Sequence, residues 1–148
     1  KRETKNSKFL AVLNFQKHLS SNIWKKDKFF DGYWIDGERS WLFWNSAGLV
    51  VPLHNDSVNN LHCSIEGEKI FYLSEPEEIF HIEGPERSFN DGFSSFKPFE
   101  NVEESEKCGT FLKLSAGDML YIPSGWWHSV KYVTDSIAVS AIDQHYLQ

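Results

Sequence analysis

Apolar residues along this chain fall into short runs instead of the stripes that amphipathic helices produce. Seven runs are rich in aromatic and β-branched residues, which is typical of strands; they are 41–44, 49–53, 61–65, 69–73, 119–122, 126–132 and 136–142. Turn-forming residues such as Gly48, Gly67 and Gly117 stand between the runs, where an antiparallel sheet would reverse. This spacing predicts a mainly β fold, either an antiparallel barrel or a jelly roll.

One short helix is expected near the N-terminus. Periodicity alone does not separate strand from helix in the apolar run 9–13. We interpret this run as a strand and the following segment, 14–24, as the helix.

The segment 74–110 interrupts the strand pattern as a long acidic loop between strands. Residues 74–107 include ten acidic and three basic residues, with several Pro and Gly turns. A loop of this length in one domain is usually functional or mobile. Four phenylalanines are predicted to pack back onto the barrel: Phe89, Phe93, Phe96 and Phe99. Two interpretations remain open, a lid that faces a substrate and a solvated acidic insertion.

Size and charge limit the classes of function. A chain of 148 residues with 41% hydrophobic content is expected to form a single domain, 1–148, with one core. The formal net charge of −6 argues against general binding to nucleic-acid phosphates or to an anionic membrane surface. A basic partner would suit this charge better.

Cysteine content and the N-terminus suggest where the protein works. Cys63 and Cys108 are the only cysteines and form no CxxC pair, so neither a disulfide framework nor a zinc knuckle is encoded. We therefore expect an intracellular location, cytoplasmic or nuclear. The chain has no apolar run of membrane-spanning length and starts at Lys1 without a signal-peptide core, so we expect no membrane association. We interpret the sequence as a fragment of a longer protein.

The residues that suggest chemistry are His54, Asp56 and His128. Residues two apart on a strand point to the same face, so His54 and Asp56 can chelate one metal without distorting the backbone. Residues 57–127 separate this pair from His128, as expected when a third ligand comes from a distant strand. Two imidazoles and one carboxylate suit a non-haem Fe(II) centre with open coordination positions. A lone histidine is more often an ordinary polar residue, so this interpretation depends on all three.

Together these motifs resemble the JmjC branch of the cupin superfamily, the Fe(II)- and 2-oxoglutarate-dependent oxygenases. The resemblance rests on the segments 52–56, 60–61, 65–69 and 117–128. It implies a double-stranded β-helix of the cupin type. It also implies that His54, Asp56 and His128 hold the catalytic Fe(II), that Lys69 pairs with the distal carboxylate of 2-oxoglutarate, and that Asn60 hydrogen-bonds near its metal-bound end. A lysine is physically suited to this task, since a buried carboxylate without a partner is very unfavourable.

Four positions depart from the family pattern. Many members carry two hydroxyls that reinforce the lysine, and the matching positions here are Val51 and Phe9. His62 shares the strand parity of Asn60, so we expect it to point inward and to contact the co-substrate or the substrate, where relatives often have an apolar residue. Asp143 lies near a position where relatives often carry asparagine.

The resemblance implies an oxygenase that uses O2 and converts 2-oxoglutarate to succinate and CO2. Hydroxylation of a protein or peptide side chain is the favoured reaction, with N-demethylation as the alternative. Two other classes remain open. One is a catalytically silent cupin that binds a protein partner, and the other is a metal-dependent cupin enzyme that does not use 2-oxoglutarate. Relatives often dimerise through C-terminal helices, whereas this sequence ends at Gln148, just after the last predicted strand. We therefore expect the fragment to be monomeric.

Overall fold

Strands dominate the computed structural model, which describes residues 10–14, 40–83 and 92–143. The strands in these ranges are β1 (Leu10–Asn14), β2 (Ser40–Asn45), β3 (Val50–Asn55), β4 (Asn59–Glu66), β5 (Lys69–Ser74), β6 (Thr110–Leu114), β7 (Met119–Ile122), β8 (Trp127–Tyr132) and β9 (Ser136–Asp143). Between β5 and β6 lie a 3-10 turn, Pro76–Glu78, and two helices, α1 (Ile79–Glu83) and α2 (Val102–Cys108). Within the described ranges, neither helix is long or apolar enough to cross a lipid bilayer.

The strands form two antiparallel sheets that face each other. One sheet has the order β1-β2-β9-β4-β7 and the other has the order β3-β8-β5-β6. From β2 onwards the chain changes sheet at every connection except the one between β5 and β6. This alternation produces the jelly roll, or double-stranded β-helix, and confirms the predicted mainly β, cupin-like fold.

Two apolar clusters lie on opposite faces of the four-stranded sheet. The inner cluster fills the space between the sheets and contains Phe71, Leu73, Leu114, Ile122, Val130 and Tyr132. The outer cluster is built on Leu53, Tyr72 and Trp127, and is covered by Phe80, Ile82, Phe96, Phe99 and Phe111. Because successive side chains of a strand point to opposite faces, β5 places Phe71 in the inner cluster and Tyr72 in the outer one.

The seven predicted strands agree with β2–β5 and β7–β9 within two residues at each end, and the run 9–13 matches β1. Strand β6 was not predicted. It is an edge strand beside β5, and three of its five residues are exposed, so its sequence lacks a clear apolar face. The predicted helix 14–24 lies outside the described residues except for Asn14, which ends β1.

The acidic segment is more ordered than the predicted loop, since it contains the 3-10 turn and both helices. Two of its phenylalanines, Phe96 and Phe99, pack onto the outer face of the barrel as predicted. Phe93 also contacts the barrel, since its ring stacks on His54, but the residue remains 69% exposed. Phe89 lies outside the described residues.

Gly67 allows the β4–β5 turn to lie close against the β8–β9 turn. Its φ is +81°, and a Cβ atom there would lie 2.2 Å from the carbonyl oxygen of Asp135. Gly117 has a similar φ of +94°, but a Cβ atom there would meet nothing within 4 Å. Substitution at Gly117 therefore tests backbone strain alone, whereas substitution at Gly67 tests backbone strain together with steric overlap.

Replacing Gly117 by alanine is expected to cost about 1–2 kcal/mol of unfolding free energy, which is the price of a left-handed conformation. Gly67→Ala should cost roughly 1–3 kcal/mol more, because its neighbours would also have to move apart. Urea unfolding of the two variants measures both values. Equal losses would show that the close approach at Gly67 is not under steric constraint.

Candidate active site

His54, Asp56 and His128 meet at one end of the barrel. His54 on β3 lies directly opposite His128 on β8 in the strand register, and Asp56 follows the end of β3. One potential ligand atom from each of the three lies within 4.8 Å of the other two. The distance from Nε2 of His128 to Oδ2 of Asp56 is 3.7 Å. Strand pairing thus brings together the two parts of the sequence motif.

Backbone carbonyls fix both imidazole rings. Nδ1 of His54 lies 2.8 Å from the carbonyl oxygen of Pro52, and Nδ1 of His128 lies 3.1 Å from that of Trp126. A carbonyl oxygen can only accept a hydrogen bond, so each Nδ1 carries a proton and donates it. In the neutral ring the lone pair is then on Nε2, which is the arrangement typical of metal-binding histidines.

The electrostatics of the cluster favour a cation. His128 is only 4% exposed, and this burial, followed by the nearby His54, lowers the pKa of His128 to about 4. At neutral pH its ring is therefore uncharged and keeps a lone pair for a ligand bond. The half-exposed Asp56 carboxylate adds an acceptor-only group beside it. Two imidazoles and a carboxylate fit Fe(II) by their chemistry, and they leave coordination positions open.

The strap, residues 92–96 of the acidic segment, borders this cluster. It lies beside β3, with the Asn55 amide donating to the Gly92 carbonyl at 3.1 Å and the Ser94 amide donating to the Leu53 carbonyl at 2.9 Å. This pairing stacks the Phe93 ring on His54, with centroids 5.8 Å apart. A largely exposed aromatic ring therefore stands next to a potential metal ligand.

Lys69 is fully buried at the start of β5, near the other end of the barrel interior. Its Nζ lies 3.4 Å from Nε2 of His62 and 5.7 Å from the centre of the Tyr132 ring. Burial lowers the pKa of Lys69 to about 8, so the amine is still mostly protonated at pH 7. No carboxylate in the described part of the chain pairs with it. Because burying a cation without an anionic partner costs free energy, this position fits an anionic ligand group.

The wall between the metal ligands and Lys69 is apolar. His128 is paired with Leu73 and Tyr132 with Lys69, so the two positions are four residues apart on β5, or about 13 Å at 3.3 Å per residue. Midway between these two positions, Val130 lies opposite Phe71 in the register, and both residues belong to the inner cluster. A ligand with a chelating group at one end and a carboxylate at the other matches the chemistry of these two positions.

The other two predicted binding residues also lie on the inner face of β4. The Oδ1 atom of Asn60 is buried and has no hydrogen-bond partner among the described residues, so this carbonyl oxygen can still accept a hydrogen bond. His62 is buried, and its Nδ1 lies 2.9 Å from Oγ of Ser140. Burial, then Lys69 and then His128, lowers the pKa of His62 to about 3, so this ring is also neutral. Ser140 was not among the predicted site residues, because only the register of β4 with β9 places it opposite His62.

Of the three other departures from the family pattern, the structure describes one side chain. Val51 packs against the inner cluster and brings no hydroxyl to the site. Phe9 lies outside the described residues. Asp143 ends β9, but its side chain is also outside them.

Known proteins that are similar to this chain in sequence include JmjC domain proteins. JmjC domain-containing protein D of Dictyostelium discoideum is 32% identical over 111 residues, which are 68% of this chain and 23% of that protein. HSPB1-associated protein 1 of Homo sapiens is 30% identical over 156 residues, covering 94% of this chain and 31% of that protein. Lysine-specific demethylase JMJ30 of Arabidopsis thaliana is 33% identical over 104 residues, covering 64% and 23%.

The chain therefore spans about a quarter to a third of the length of these relatives. The family described as "Cupin-like domain" matches residues 5–141, a range that contains the metal-ligand cluster, Lys69 and every strand from β1 to β8. This match covers far more than half of the sequence, and the relatives include JmjC proteins. The chain belongs to the cupin-like domain family and is a JmjC-type domain.

Proposed function

We propose that this domain is the catalytic part of an Fe(II)- and 2-oxoglutarate-dependent oxygenase that acts on a protein or peptide. The proposal rests on one observation, which is that a potential metal site and a buried lysine both lie in the interior of the same barrel. A His-Asp-His cluster suited to a metal lies at one end, and a buried lysine with no acidic partner among the described residues lies toward the other. A cupin that binds a metal alone has no use for the second feature.

Each site residue then has a defined task. His54, Asp56 and His128 would hold Fe(II), Lys69 would bind the distal carboxylate of 2-oxoglutarate, and the side-chain NH2 group of Asn60 would donate a hydrogen bond near its chelating end. When bound, the iron and co-substrate would supply the oxidation of a C–H bond by O2, with release of succinate and CO2.

The protein's own contribution is orientation and exclusion of water. The carbonyls of Pro52 and Trp126 hold both ligand rings with Nε2 free, so metal binding requires no change of tautomer. Val130 and Phe71 lie between the metal ligands and the lysine and make that part of the interior apolar, which disfavours water there. In such a low-dielectric surrounding, the attraction between the Lys69 ammonium and a carboxylate is stronger than in water.

Hydroxylation of a protein side chain is the reaction we favour, with N-demethylation as the second candidate. The exposed Phe93 ring beside His54 provides an apolar contact for a substrate side chain at the metal. The net charge of −6 favours a basic partner, and two free cysteines suit a reducing compartment, cytoplasmic or nuclear. Demethylation is kept because one relative is a lysine-specific demethylase.

Replacing His128 by alanine is expected to abolish metal-dependent 2-oxoglutarate binding. Loss of an outer hydrogen bond to a ligand already costs about 10–100-fold in metal affinity, and loss of the ligand itself should cost more. Anaerobic calorimetry with Mn(II) in place of Fe(II) measures this, with micromolar binding expected for the unmodified protein. His81→Ala is the matched control, because His81 is exposed on α1 and should leave binding unchanged.

Absence of 2-oxoglutarate binding to the folded, Mn(II)-loaded parent protein would contradict the oxygenase proposal. The catalytically silent cupin would then become the best interpretation. The observation that favours it is Val51, which leaves the lysine without one of the hydroxyls expected near it.

A further inference from the structure

His62 connects Lys69 to the opposite sheet. Its ring is 5% exposed and lies on β4, in the five-stranded sheet, whereas Lys69 is on β5 in the four-stranded sheet. Nε2 of His62 is 3.4 Å from Nζ of Lys69, and Nδ1 is 2.9 Å from Oγ of Ser140. Ser140 is itself buried on β9, directly opposite His62 in the register. The three side chains thus form a continuous polar chain inside the barrel.

The order of donors along this chain follows from Lys69. A charged ammonium group has three N–H donors and no acceptor, so Nε2 of His62 must accept. The imidazole proton is then on Nδ1 and is donated to Oγ of Ser140. The lowered pKa of His62 agrees with a neutral ring. One of the three lysine protons is used in this way, and the others remain for a ligand.

Aromatic neighbours prevent the imidazole from swinging away. The edge of the His62 ring meets Phe71 with centroids 5.0 Å apart and an interplanar angle of 67°. Phe43 lies on another side with centroids 6.1 Å apart. With its ring packed and its Nδ1 bound to Ser140, His62 presents its Nε2 lone pair at a fixed point in the barrel. That point determines where the flexible lysine amine rests.

We propose that Ser140 and His62 are positioning residues, which hold the Lys69 ammonium group where it can bind the distal carboxylate of the co-substrate. This inference rests on the oxygenase function proposed above. It also accounts for Val51, which stands where many family members carry a hydroxyl that reinforces the lysine. Here the neutral His62 imidazole makes the polar contact with the lysine instead. His62 acts through Lys69 and touches neither the metal nor the reacting atoms.

The test uses a pair of variants that differ in their ability to accept a hydrogen bond. His62→Phe keeps a ring of similar size but has no acceptor, whereas His62→Gln has an amide that can accept from Lys69 and donate to Ser140. With Mn(II) present and oxygen absent, calorimetry should show 2-oxoglutarate binding about 10–100-fold weaker in His62→Phe and within a few-fold of the parent in His62→Gln. Binding of Mn(II) alone should be the same in all three proteins. Ser140→Ala should fall between them.

A nitrogen-15 spectrum of the parent protein gives a readout that does not depend on any variant folding. We expect a neutral His62 with its proton on Nδ1, and a shift of the Nε2 resonance when 2-oxoglutarate binds. A proton on Nε2 in the free protein would overturn the inference. So would equal 2-oxoglutarate affinity in His62→Phe and the parent, or equal weakness in both His62 variants. Failure of the parent to bind 2-oxoglutarate at all would instead overturn the oxygenase proposal.

Discussion

Lys69→Met is expected to change ligand binding and stability in opposite directions. Each charge-assisted hydrogen bond is worth about 1.5–3 kcal/mol, so losing two at the distal carboxylate should weaken 2-oxoglutarate binding by more than about a hundredfold. The free protein should become more stable, because Lys69 is a buried cation that no carboxylate in the described part of the chain neutralises. A residue that destabilises the free protein yet binds a ligand group is typical of a functional site.

The gain in stability should depend on pH with a definite sign. The pKa of Lys69 is lowered from 10.5 to about 8 in the folded protein, so folding disfavours the charged form. The resulting penalty is fully present below about pH 8 and is lost as the pH rises to 10.5, where the unfolded chain also releases the proton. At pH 7 the gain from Lys69→Met should be on the order of 3 kcal/mol.

Urea unfolding at pH 7 and at pH 10.5, together with calorimetry, checks both effects. Lys131→Met is the matched control, because Lys131 is exposed on β8 and its replacement, which removes only a contact with the Phe99 ring, should change stability by about 1 kcal/mol or less. Retention of 2-oxoglutarate binding in Lys69→Met would rule out the proposed role of the lysine. A loss of stability at pH 7 would show that Lys69 has a compensating partner.

The metal-free protein is expected to lose stability steeply on mild acidification. His62 and His128 have pKa values lowered to about 3 and about 4 in the folded state, compared with 6.5 in the unfolded chain. Between pH 6.5 and these values the unfolded chain binds more protons, so stability falls as the pH falls. Each histidine contributes a slope of about 1.4 kcal/mol per pH unit, which for His62 amounts to on the order of 5 kcal/mol over its full range.

Unfolding free energies of the parent and His62→Phe between pH 7 and pH 4.5 test this expectation. Carboxylates also contribute in this range, so the useful quantity is the difference between the two slopes, which should approach one proton. His81→Ala serves as the control, since His81 is exposed on α1 and its loss should leave the parent slope intact. Identical slopes for the parent and His62→Phe would show that burial does not hold His62 neutral.

Much of the site followed from local spacing. The parity of a strand was enough to place His54 beside Asp56 and to turn Asn60 and His62 inward. Ser140 could not be found in this way, because it reaches His62 only through the pairing of strands that are 78 residues apart in sequence. The position of Phe93 also depends on tertiary structure, since the strap is held by Ser94, Ser95 and Phe96 donating to Glu83 at the end of α1.

The helices within the acidic segment were missed for a related reason. Helix α1 has five residues and α2 has seven, which is too short for either to be stable alone or to show clear periodicity. They are stabilised by packing, with Phe80 and Ile82 of α1 covering the outer cluster. Strand β6 similarly owes its conformation to pairing with β5.

The outer cluster has a consequence for which sequence changes the domain can tolerate. Leu53 and Trp127 are both fully buried in it, and each directly precedes a potential metal ligand, His54 or His128. The aromatic residues that cover them, such as Phe96 and Phe99, belong to the acidic segment, whose composition suggests freedom to vary. Substitutions there would shift the backbone that carries the ligands. Natural variation in this segment should therefore concentrate at its charged positions, while loss of an aromatic residue should reduce metal affinity from outside the barrel.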